Sequence, residues 1–166
     1  RGIQTDQLGK GKAGFAKLVE ITMKAAAVLA FAAGLISIFT GTGRSPAAVR
    51  AAGAAMSIGG TIVFIFAVRA MGDSWRAGVS KTDQTELVTD GIYQISRNPA
   101  FLGFDLLYMG TLLMFFNGIL CTLTVFVVIL YHMQIVCVEE KFLVAAFGEE
   151  YLHYQKKVCR YLGRKR

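Results

Sequence analysis

Two groups of side chains in this 166-residue sequence have the types and spacing to do chemistry. The first is Arg97-Asn98-Pro99. A proline bars the α conformation at the residue before it and has its own φ set for a first helical turn, so a helix is expected to begin at Pro99. Arg97 and Asn98 then stand just ahead of a helix N-terminus, where free N–H groups and partial positive charge favour a carboxylate. The plainer alternative makes Arg97 an anchor at a membrane face and Asn98 a helix cap. The second group is His132 with Glu139 and Glu140. If the helix carrying them runs on at about 100° per residue, Leu143, Phe147, Tyr151, Tyr154 and Val158 form one apolar stripe. Glu140 falls within that stripe, with Glu139 and His132 along its edge. A carboxylate there needs a partner, and Arg97 is the obvious one. The plainer alternative is that the two glutamates mark where a helix leaves the bilayer. No second histidine follows at the HExxH spacing, so no metal is expected.

The elements that must position these groups follow from the apolar runs. Hydrophobic residues make up 54% of the chain and charged ones 17%, against about a quarter in soluble domains. A bilayer-crossing helix needs roughly 20 mainly apolar residues. Four runs qualify or nearly so: 19–39, 49–71, 101–116 and 119–138. The third is short and holds one charge, Asp105, and only the turn dipeptide Asn117-Gly118 separates it from the fourth. These two runs read as a helical hairpin. None shows the polar stripe of a soluble bundle helix. The expected fold is an all-α integral membrane protein with about four transmembrane helices, a C-terminal helical hairpin and a cytoplasmic amphipathic helix. One membrane domain covers 1–166, with 1–70 as N-terminal helices and 71–166 as the cofactor-binding and catalytic part. The chain opens on Arg1 rather than Met, which leaves room for residues upstream, including another membrane helix, and no signal-peptide pattern is present.

Basic residues are retained on the cytoplasmic side. With four crossings, the lysines and arginines of 1–18, 69–97 and 139–166 share one side, against Arg44 and Arg50 on the other. The termini and the middle segment are therefore expected in the cytoplasm, in a bacterial cytoplasmic membrane. The net charge of +7 is accounted for by anionic lipid, with no nucleic acid needed. Cys121, Cys137 and Cys159 fit neither a disulfide framework nor a zinc spacing and read as packing residues.

The loop 71–103 is polar overall, yet it carries Trp75, Leu87, Val88, Ile92, Tyr93 and Phe101. Plain solvent loops have little use for such side chains. Thr89-Asp90-Gly91 marks a turn, and Gly91 would let backbone come close to a ligand. The order GxxW, ELVTDGIYQISRNPAFLG, apolar hairpin, VEEKFLVAAFGEEYLHYQKKVCRYL resembles the isoprenylcysteine carboxyl methyltransferase family over roughly residues 71–162. That family carries R-H-P-x-Y, then a hairpin, then E-E and F-G-x-x-Y-x-x-Y. It is related to phospholipid methyltransferases and, more distantly, to membrane sterol reductases.

The resemblance implies methyl transfer from S-adenosylmethionine to a small-molecule or lipid-like acceptor at the cytoplasmic face. Leu87, Val88, Gly91, Ile92 and Tyr93 would wrap the adenosyl part. Arg97, Asn98 and Pro99 stand at Arg-His-Pro, with Phe101 at the tyrosine position. Glu139 and Glu140 match the paired acids, and Tyr151 and Tyr154 the two tyrosines. Arg97 and Glu140 are the expected catalytic residues, Arg97 for a carboxylate and Glu140 for the cofactor's ammonium or sulfonium; His132 joins the cofactor-binding set. Asn98 cannot titrate near neutrality and Phe101 has no hydroxyl, so the acceptor itself is open. Two rival readings stand beside this one: an NADPH-dependent reductase of the sterol group, and a membrane protein that keeps the fold without the activity.

Overall fold

The computed structural model describes residues 14–72 and 86–165. The block around Trp75, the start of the polar linker and most of the N-terminal basic residues lie outside them. Among the described residues six α-helices follow in order: α1 Gly14–Thr40, α2 Ala47–Met71, α3 Pro99–Met114, α4 Gly118–Gln134, α5 Glu140–Phe147 and α6 Glu149–Lys157. A π-helical turn, Ile135–Glu139, joins α4 to α5 without a break, making one 30-residue rod. α1, α2 and this rod are each long and apolar enough to cross a membrane. Their outward faces carry Val28, Phe31, Ile58 and Ile119, each more than half exposed, as a lipid-facing surface requires. The protein is an all-α integral membrane protein.

α3 has only 16 residues, a rise of roughly 24 Å against a hydrocarbon core of about 30 Å. It is held by α2. Gly53 and Gly60 on α2 are seven residues apart and so are Gly103 and Gly110 on α3, which puts each pair on one helix face. The helices run antiparallel, with Gly60 against Gly103 and Gly53 against Gly110. A Cβ on Gly60 or Gly53 would lie 2.5 Å from the facing glycine's carbonyl oxygen, so only glycine permits this approach. Ser57, between the two glycines, donates across to the Leu107 carbonyl at 3.2 Å. α1 and α4 pair likewise in antiparallel. Gln134 donates to the Glu20 carboxylate at 3.1 Å near one end, and Asn117 donates to the Ser37 hydroxyl at 3.0 Å near the other.

The Asn117-Gly118 hairpin forms as expected: the Asn117 side chain caps α4 by accepting from the Leu120 N–H at 3.0 Å. The α1–α2 loop closes on the same end, where the Ser45 N–H reaches the Met114 carbonyl at 3.1 Å. α3 starts at Pro99 as the sequence requires. One expectation fails. The helix through Glu140 does not continue to Val158 but stops at Gly148, whose φ of +50° no L side chain adopts readily, and α6 sets off in a new direction.

Candidate active site

Every group singled out for chemistry except Phe101 gathers at the end of the bundle opposite the two tight loops. Three pieces of chain meet there. They are the loop 86–98, the π turn with the start of α5, and the C-terminal segment beyond α6. That segment turns back on itself at Gly163, whose φ is +112°, so that the Cys159 N–H reaches the Gly163 carbonyl at 2.9 Å. It straps onto the loop through Gly163 N–H to the Ile95 carbonyl at 2.7 Å and Arg97 N–H to the Cys159 carbonyl at 3.1 Å.

Arg97 and Glu140 meet. Arg97 Nη1 lies 3.0 Å from Glu140 Oε1, with the two side chains 6% and 11% exposed. The same nitrogen donates to the Tyr151 hydroxyl at 3.0 Å, and Nε donates to the Val158 carbonyl at 3.1 Å. A second guanidinium closes on Glu140 from the tail. Arg160 forks onto the carboxylate, Nε to Oε1 at 2.8 Å and Nη2 to Oε2 at 2.9 Å. Hydrogen bonding to Glu140 holds the Arg160 guanidinium even further above its ordinary value. One carboxylate between two guanidiniums leaves this trio with net positive charge.

Asn98 is buried but does not cap α3. Its amide donates to the Arg160 carbonyl at 3.0 Å, and its backbone N–H donates to the buried Ser96 hydroxyl at 3.2 Å. Asn98 thus fixes the tail rather than the helix. Leu87, Val88 and Ile92 pack with buried Tyr93, Tyr151, Tyr154 and Val158, and with Leu143 and Phe147. The stripe residues therefore come together despite the break at Gly148, because α6 folds its tyrosines back over α5. The Tyr154 hydroxyl donates to the Tyr93 carbonyl at 2.6 Å. Burial pushes the phenols of Tyr93, Tyr151 and Tyr154 up; Glu139 adds to this at Tyr93, while Arg97 opposes it at Tyr151. All three are neutral at physiological pH. Gly91 has φ +59° and is exposed, so the turn itself requires glycine there.

His132 stands at the edge, its Nδ1 2.8 Å from the Tyr161 hydroxyl and its ring stacked on that tyrosine. Phe101 lies elsewhere, in the membrane core against Tyr131, with ring centroids 5.3 Å apart. Sequence reasoning missed Arg160, Tyr161 and Ser96. Arg160 read as one more cation of a basic tail. The signal available was the apolar company it keeps in Val158–Leu162, unlike a solvated tail. No group of three potential metal ligands occurs among the described residues.

The arrangement is a half-buried ionic trio of net positive charge beside an aromatic and aliphatic wall, and known proteins share part of the stretch that builds it. A sequence model of the phospholipid methyltransferase family matches residues 48–150. Protein-S-isoprenylcysteine O-methyltransferase of Schizosaccharomyces pombe is 39% identical over 72 residues, 43% of this chain and 30% of the relative. The Saccharomyces cerevisiae protein of the same name is 38% identical over equal shares. Protein-S-isoprenylcysteine O-methyltransferase B of Arabidopsis thaliana is 32% identical over 80 residues, 48% of this chain and 41% of the relative. The chain thus spans less than half the length of these curated relatives. With the family pattern covering more than half of its residues, the chain belongs to the phospholipid methyltransferase family, within the group of the isoprenylcysteine carboxyl methyltransferases.

Proposed function

We propose that the protein is an S-adenosylmethionine-dependent methyltransferase acting on a lipophilic, membrane-delivered acceptor at the cytoplasmic face. The observation that carries this reading is the Arg97–Glu140–Arg160 trio against the Tyr93–Tyr151–Tyr154 wall, of which Tyr93, Arg97 and Glu140 fall within the family-matched stretch. The residues fit the cofactor. A trio with net positive charge suits the carboxylate of the methionine moiety, and Arg97 and Arg160 are the groups to hold it. Glu140 then serves first as the clamp that keeps two guanidiniums side by side. Leu87, Val88, Ile92 and Tyr93 offer the apolar surface for an adenosyl group, with Tyr154 fixing the backbone of Tyr93.

When bound, the cofactor supplies an activated methyl group on a sulfonium whose departure leaves a neutral thioether. The protein's own work is then to bind, to align the acceptor and to keep water out. The cytoplasmic assignment is supported by basic residues at the site's end of the bundle, among them Arg69, Lys141, Lys156 and Lys157.

The test is calorimetric titration of the purified chain in detergent with S-adenosylmethionine and S-adenosylhomocysteine. Saturable binding of both, weakened at least tenfold in Arg97→Ala, is the expected result. A folded native protein that binds neither would overturn the reading.

A further inference from the structure

The C-terminal strap that brings Arg160 to Glu140 also meets the membrane. Its tip is 159–163, closed by the Cys159 N–H on the Gly163 carbonyl, with Val158 and Arg164 bridged behind it. Tyr161 in that tip stacks on His132, with its hydroxyl 2.8 Å from Nδ1. His132 is exposed, three residues beyond Ile129 and seven beyond Val125, both half exposed, so it continues the lipid-facing stripe of α4. It stands about 21 Å along α4 from Gly118, short of the roughly 30 Å hydrocarbon core. A tip stacked there lies at the depth of the bilayer, not above it.

The outward side chains suit that place. Leu162 is 67% exposed, an apolar area that favours lipid over water. Lys157 and Arg164 flank the tip, both exposed and without a side-chain hydrogen bond or ion pair among the described residues. No acidic residue occurs in 151–165. An apolar side chain set between cations is the pattern that seats on an anionic lipid surface. Few bonds hold the strap to the loop. They are Gly163 N–H to the Ile95 carbonyl, Arg97 N–H to the Cys159 carbonyl and the Asn98 amide to the Arg160 carbonyl. The Arg160 side chain is itself 35% exposed on its fork to Glu140. A segment so lightly held opens easily, and opening takes the second guanidinium from the trio.

We propose that Leu162, Lys157 and Arg164 dock the strap on an anionic bilayer surface, and that docking keeps Arg160 on Glu140 and so raises affinity for the methyl donor. The apparent affinity scales with the fraction of molecules whose strap is closed. The coupling rests on the methyltransferase reading; the docking itself does not. If these cations were topology anchors alone, donor affinity would not follow lipid charge.

The experiment compares the chain in nanodiscs of phosphatidylcholine alone and of phosphatidylcholine with phosphatidylglycerol in equal parts. S-adenosylhomocysteine is titrated by calorimetry; it has no net charge at neutral pH, so an anionic surface does not concentrate it. Native protein is expected to bind it several-fold more tightly in the anionic discs. The variant Lys157→Gln/Leu162→Ser/Arg164→Gln should lose that gain, while keeping the native affinity and melting temperature in neutral discs. Docking is read separately by Leu162→Trp in discs with brominated acyl chains, with the native protein and its one tryptophan, Trp75, as the blank. Quenching should be stronger in the anionic discs. Equal donor affinity in both bilayers, the same gain in the triple variant, or quenching indifferent to lipid charge would overturn the proposal, with donor binding leaving the methyltransferase reading in place. The same gain from inorganic phosphate added to neutral discs would also overturn it, since the strap would then hold a soluble anion. Charge-dependent quenching in a native protein that binds no donor would remove the methyltransferase reading and still support the docking surface.

Discussion

Replacing Glu140 with glutamine tests whether the trio is held by charge. The substitution keeps shape and some hydrogen bonding but leaves two guanidiniums facing each other without their anion. Removing one partner of a buried ion pair costs about 3–5 kcal/mol. Two features lower that figure here. The Arg160 side chain is 35% exposed and can turn to water, so its share is that of a screened surface pair, under about 1 kcal/mol. Arg97, at 6% exposure, cannot leave, yet it keeps the Val158 carbonyl and the Tyr151 hydroxyl. The expected net loss is about 2–3 kcal/mol, or roughly 4–12 °C in melting temperature for a chain of this size. Thermal unfolding in detergent, followed by circular dichroism, reads it. The double variant Arg97→Met/Glu140→Met should recover part of the loss, since it removes the uncompensated charge with its partner. A Glu140→Gln protein melting within about 2 °C of native, or a double variant less stable than the single, would refute the electrostatic account.

Three further outcomes follow from the same geometry. Gly60→Ala puts a methyl 2.5 Å from the Gly103 carbonyl and should cost about 1–3 kcal/mol, read as a lower melting temperature, whereas Gly59→Ala, with open space, should cost nothing measurable. Tyr154→Phe removes the 2.6 Å bond to the Tyr93 carbonyl and should cost about 1–2 kcal/mol; a change within 0.3 kcal/mol would mean the bond is idle. Because burial raises the Tyr154 phenol in the folded state, its stabilising share is complete below pH 10 and declines as the pH rises above it. The native melt should therefore fall faster than that of Tyr154→Phe above pH 10. Deleting Cys137 removes the extra residue of the π turn and lets the rod run on as plain α-helix with α5 keeping its facing, so S-adenosylhomocysteine binding should persist within a few-fold. Its loss in a folded variant would mean that the bulge itself shapes the site.

The Arg97–Glu140 pairing was legible because a carboxylate on an apolar stripe demands a cation, and proline puts Arg97 beside a helix start. The hairpin was legible from Asn117-Gly118 for the same local reason. What escaped has tertiary causes. Gly148 ends α5, yet a single glycine in an amphipathic pattern carries no direction of its own. The π turn lies where Gln134, Ile135 and Val138 are buried and leaves no residue signature. Arg160 comes to Glu140 only because the tail folds back through Gly163 onto the loop at Ile95, a contact no helical period encodes. The seven-residue glycine spacings of α2 and α3 were on the page as sequence but become meaningful only when the two helices face each other.

The glycine contact between α2 and α3 also bears on how the chain enters a bilayer. α3 is short, and Asp105 adds a cost of about 2.5–3.5 kcal/mol at the centre of an isolated span. On its own it is a poor candidate for recognition by the insertion machinery. α4, longer and without a charge, follows after three residues and supplies the missing drive, so the pair enters as one hairpin. α2, already in place, then presents a smooth glycine groove into which α3 drops. A chain stopped after Met114, before α4 is made, would leave its third helix at the membrane surface.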